Sequence, residues 1–114
     1  MSKKNEITGV VERLELLEEK LGLTLSGIYA TCEPSEYEEG QYEVHVNYDI
    51  SSMHGDGLTN HLYINTNAYN AAGQLLGNSK IFLDKSDFSG FESATEELVI
   101  DQIPQKIRLF PSVA

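Results

Sequence analysis

Residues 42–50 read Tyr42-Glu43-Val44-His45-Val46-Asn47-Tyr48-Asp49-Ile50. Apolar and polar residues alternate without a break. Successive side chains leave a strand on opposite faces, so Tyr42, Val44, Val46, Tyr48 and Ile50 share one face and Glu43, His45, Asn47 and Asp49 the other. The same punctuation repeats downstream. A glycine-bearing turn at Met53–Gly57 leads to a second strand around His61–Tyr69. The turn Asn70-Ala71-Ala72-Gly73 leads to a third around Leu75–Leu83. This is the pattern of an antiparallel sheet with one apolar and one solvated face.

Further strands flank these three. Leu23, Leu25, Ile28 and Tyr29 mark a strand over Leu23–Thr31, with a bulge at Gly27 where the alternation slips by one. Glu33–Gly40, rich in glutamate, reads as a solvated loop. Asp84–Gly90 is a polar turn, with Phe88 and Phe91 bracketing Gly90 at the edge of the core. Phe91–Asp101 reads as a strand, Pro104 as a break and Lys106–Phe110 as the last strand, ended by Pro111. Residues 7–21 support two readings. Val10, Leu14, Leu17 and Leu21 form a helical stripe with Thr8 as N-cap and Gly22 as stop. Ile7–Leu16 also alternates as a strand would, making a hairpin with Leu23–Thr31. Strands at roughly 10-residue spacing indicate an all-β, antiparallel β-sandwich of about seven strands, with or without a short N-terminal helix.

A chain of 114 residues forms one domain, residues 1–114. Eight basic residues against 18 acidic give a formal net charge of −10. Nucleic acid and anionic membranes both demand a basic footprint, so neither is expected as a partner. Cys32 is the only cysteine, which excludes an internal disulfide, and no basic residue nearby lowers its pKa toward a reactive thiolate. The N-terminal segment lacks the apolar stretch of a secretory signal, and no run is long enough to span a bilayer; the expected location is cytoplasmic.

The stretch Ala68-Tyr69-Asn70-Ala71-Ala72-Gly73-Gln74-Leu75-Leu76-Gly77 resembles a hairpin of bacterial immunoglobulin-like sandwich domains of the FxLYD type, with Ser89-Gly90-Phe91 in the place of their later turn. Thr66, Ala68 and Asn70 stand where that motif has an aromatic residue, leucine and aspartate. The resemblance spans Tyr42 to Phe91. It implies an immunoglobulin-like fold and an interaction or spacer module without catalytic residues.

The residues themselves point the same way. Gly-x-Ser-x-Gly, phosphate-loop and CxxC patterns are all missing, so no cofactor and no catalytic apparatus is expected. Tyr63, Asn65, Asn67 and His45 fall at outward strand positions and make a polar face dotted with tyrosine, the residue type suited to an interface. Its partner would be a protein surface or a second copy in a homodimer. A second arrangement is metal binding. His54, Asp56 and His61 flank one hairpin, and two imidazoles with a carboxylate suit a zinc-class ion with an open position, regulatory or hydrolytic.

Overall fold

The structure, a computed structural model, describes residues 4–53 and 57–114. Its strands are β1 (Asn5–Glu6), β2 (Val11–Arg13), β3 (Leu23–Pro34), β4 (Tyr42–Ser52), β5 (Leu62–Tyr69), β6 (Leu75–Leu83), β7 (Phe91–Ile100) and β8 (Lys106–Val113), with one helix, α1 (Glu15–Leu21). They form two four-stranded sheets, ordered β1-β3-β4-β7 and β2-β8-β5-β6. Every pairing is antiparallel except β2 with β8.

The alternation over 42–50 sets the first sheet. Val44, Val46, Tyr48 and Ile50 are buried, and opposite them on β7 Leu98 and Ile100 point the same way. Leu62, Ile64 and Ala68 of β5 and Ile107 and Leu109 of β8 supply the facing layer. Gly27 sits in the left-handed region at φ 59° where the β3–β4 register slips, the bulge expected there. Gly77 serves a different need. A Cβ there would lie 2.8 Å from Ile100 Cγ2, so the glycine lets the edge strands of the two sheets, β6 and β7, come together.

Residues 7–21 combine parts of both sequence readings. A 3-10 turn at Thr8–Val10 carries the chain from the first sheet to the second, where β2 is too short to be one arm of a hairpin. The helix starts only after Leu14 and ends at Gly22 in the left-handed conformation. Thr8 is therefore not its cap; its hydroxyl accepts the Ala30 N–H (3.0 Å) instead. Buried Glu18 fixes the helix. Arg13 donates to both of its carboxylate oxygens (3.0 and 2.6 Å), and the Leu25 N–H donates to Oε1 (3.0 Å). Since β1 pairs with β3 only at Thr31 and Cys32, this carboxylate takes the place of a neighbouring strand for Leu25.

Pro111 does not end β8 but lies within it, buried. The Ala114 N–H donates to His61 O (3.0 Å), so even-numbered β8 residues turn their backbone groups toward β5 and odd-numbered ones away. β2 reaches only Leu109, so proline at 111 costs no ladder bond. Of the two phenylalanines around Gly90, Phe88 enters the core and Phe91 stays exposed.

A buried polar cluster links the two sheets inside the sandwich. Glu96 of β7 is buried, and its Oε2 accepts the Tyr48 hydroxyl from β4 (2.6 Å) and the Thr66 hydroxyl from β5 in the other sheet (2.8 Å). Burial, and then Glu96, push the Tyr48 phenol far above its ordinary value. The folded value exceeds the unfolded one, so this stability is complete below about pH 10 and is lost as pH rises beyond it. Tyr48→Phe should cost about 1–3 kcal/mol in urea unfolding at neutral pH. The same variant should lose stability less steeply than the parent above about pH 10.

Candidate functional site

The outer face of the β2-β8-β5-β6 sheet is where chemistry-bearing side chains gather. Outward positions on β5 are Tyr63, Asn65, Asn67 and Tyr69; the cross-strand register sets Phe82, Lys80 and Asn78 beside them on β6, and Ser112, Phe110, Arg108 and Lys106 on β8. At one end the ring of Phe82, 53% exposed, meets Tyr63 edge-on with centroids 5.8 Å apart. Lys80 Nζ stands 4.2 Å above the Tyr63 ring, within cation–π range. His61 closes this end, 5.5 Å from Phe82.

The middle is held by amides. Asn65 Nδ2 donates to Ser112 Oγ (2.9 Å) and Phe110 O (3.2 Å), and Asn67 Nδ2 donates to the Tyr69 hydroxyl (3.2 Å). At the far end Arg108 lies 5.3 Å from the Tyr69 ring and donates to Glu12 Oε1 (3.1 Å), with Lys106 3.9 Å from the same carboxylate. A hollow of about 210 Å³ opens there among Tyr69, Asn70, Gly73, Lys106 and Arg108. The asparagines are thus fastened to their own sheet, while the aromatic rings and cations are presented outward.

Tyr63, Asn65 and Asn67 share one surface, as their spacing indicates. His45 does not join them. It lies on the outer face of the other sheet with Asn47, because β4 and β5 belong to different sheets and their polar sides face opposite ways. Of the metal set expected at His54, Asp56 and His61, the first two lie outside the described residues. His61 Nδ1 accepts the Lys85 N–H (3.1 Å) and lies 3.6 Å from Asp84 Oδ1. Phe82, Lys80 and Tyr69 escape sequence reading as site residues, whereas Lys106 and Arg108 stand out there as the cations of the last strand. The signal for the first three was an aromatic residue or cation at polar parity in a strand, as in Lys80-Ile81-Phe82.

No protein-family model, no curated protein and no solved structure matches the chain. Among the described residues no helix is long and apolar enough to cross a membrane.

Cys32 is buried on the inner side of β3. Burial, and then Glu33, push its thiol above the ordinary value, which holds it in the unreactive protonated form. In the folded protein at about pH 8, reaction with a chromogenic disulfide reagent should be at least about tenfold slower than after unfolding in urea.

Proposed function

We propose that this domain is a non-catalytic interaction module that binds an acidic protein surface, a second copy of itself included, through the outer face of β8, β5 and β6. The observation that carries the reading is the Phe82–Tyr63–Lys80 cluster. Exposed aromatic rings next to a cation have the composition of interface centres, where aromatic residues are enriched. Lys80, Lys106 and Arg108 stand on this face in a chain of net charge −10. The opposite outer face carries Glu33, Glu43, Asp49 and Glu97, so a second copy offers a surface of complementary sign.

The immunoglobulin-like relationship belongs to this proposal. It is supported by two packed sheets and by the turn at Asn70–Gly73, where Asn70 Oδ1 accepts the Ala72 and Gln74 N–H groups (3.0 and 2.9 Å). The direct pairing of β3 with β4 departs from the order in which that fold sets its second strand against its fifth.

Sedimentation at about 0.15 M salt, where the Debye length is about 8 Å and long-range repulsion is damped, tests the reading. The parent chain should self-associate. Tyr63→Ala and Phe82→Ala should each weaken association by at least about tenfold, the cost of removing an interface anchor, while leaving the melting temperature nearly unchanged. A parent that stays monomeric at high concentration, or variants that associate as well as the parent, would overturn self-association through this face.

A further inference from the structure

The other outer face, the acidic one that a second copy would offer, also sets a histidine among its glutamates. Glu33 on β3 and Glu43 on β4 are direct cross-strand partners, and His45 lies two residues along β4 on the same side. One donor atom from each of Glu33, Glu43 and His45 falls within 4.8 Å of the others, and all three residues are half-buried. Three ligands from two hydrogen-bonded strands are held by the sheet and not by a loop.

The orientation of His45 adds a second, independent indication. Its Nε2 faces Glu43 Oε1 at 3.8 Å, and its Nδ1 faces Glu97 Oε1 on β7 at 3.4 Å. Metal-binding histidines characteristically use one ring nitrogen for the ion and aim the other at a carboxylate that fixes ring and tautomer. Glu97, directly opposite His45 in the β4–β7 register, is placed for that second part.

We propose that Glu33, Glu43 and His45 bind one zinc-class divalent ion, with Glu97 as the positioning carboxylate for His45. One imidazole and two carboxylates form a mixed nitrogen–oxygen set suited to Zn²⁺, Co²⁺ or Mn²⁺, leaving at least one coordination position for water or a further ligand. Tetrahedral ligation at 2.0–2.1 Å brings donors to about 3.4 Å apart, so donors within 4.8 Å must close by up to about 1.4 Å through side-chain rotation.

The test is titration of the intact chain with Zn²⁺ by calorimetry and with Co²⁺ by visible absorption, at protein concentrations below those used for self-association. One ion per chain is expected, with a dissociation constant of about 10 µM or tighter. His45→Ala and Glu43→Gln should abolish binding, and Glu97→Gln should weaken it by about 10–100-fold. Far-UV circular dichroism shows that each variant is folded. His61→Ala should leave the titration unchanged, which separates this site from one at His54, Asp56 and His61. Absence of binding up to about 1 mM ion would overturn the proposal. So would binding retained in folded His45→Ala and Glu43→Gln. Association through the Tyr63 face is read separately, on metal-free protein, because Glu33, Glu43 and Glu97 also belong to the acidic face that a second copy would offer.

Discussion

A single carboxyl oxygen, Oε2 of Glu96, accepts hydroxyls from both sheets, and the alignment of the sandwich depends on it. Apolar side chains tolerate sliding, because one leucine packs much like another. A buried polar group does not, because a lost partner leaves an unsatisfied atom inside a low-dielectric core. Tyr48, Glu96 and Thr66 sit on β4, β7 and β5, so only one register within the first sheet and one placement of the second satisfy all three. A slip of one residue would also turn Glu96 outward and Glu97 into the core. Oε1 of Glu96 has no hydrogen-bond partner among the described residues, so the two hydroxyl bonds carry its whole compensation for burial.

The edge of the first sheet solves a related problem with another glutamate. β1 is two residues long and leaves the start of β3 without a strand on the side away from β4. Glu18, reached through one short helix and held by Arg13, accepts the N–H that an adjacent strand would have taken. Hydrogen bonding with Glu18 raises the Arg13 guanidinium further above its already high value, so Arg13 stays charged. The helix is therefore the means by which an edge backbone group is satisfied, and its position follows from that of Leu25.

Local patterns made much of this legible. Alternation located β4 and β5, the Asn70–Gly73 turn set β6 beside β5, and Gly27 marked the bulge, because each signal lies within a few residues of what it controls. What alternation cannot carry is sheet membership. It assigns a side chain to one side of its own strand, but does not say on which side of the sandwich that strand lies. His45 and Tyr63 accordingly looked alike and stand on opposite faces. The N-terminal segment misled for a similar reason: Val11–Arg13 takes its strand character from β8, nearly a hundred residues away, and not from a local hairpin. Pro111 ends a strand only where a ladder bond is needed, and its far side has none. Glu96 carried no sign of burial, since its partners lie 30 and 48 residues distant.

The core explains the inner faces and leaves the outer ones largely free. An outward position on an antiparallel sheet asks only for a side chain that tolerates water and suits its cross-strand neighbour, and most polar residues meet that demand. Thr95 donating to Asn47 and Ser93 donating to Asp49 are arrangements of that ordinary kind. Two departures stand out against them. Phe82 leaves half of a large ring exposed beside Tyr63 and Lys80, a surface the core does not require. Glu33 and Glu43 face one another directly, with His45 two residues along β4 on the same side. Exposed side chains that the core does not require are where a function is to be sought, and here they lie on opposite faces of one sandwich. The Glu96 triad fixes how the two sheets that carry those faces are aligned.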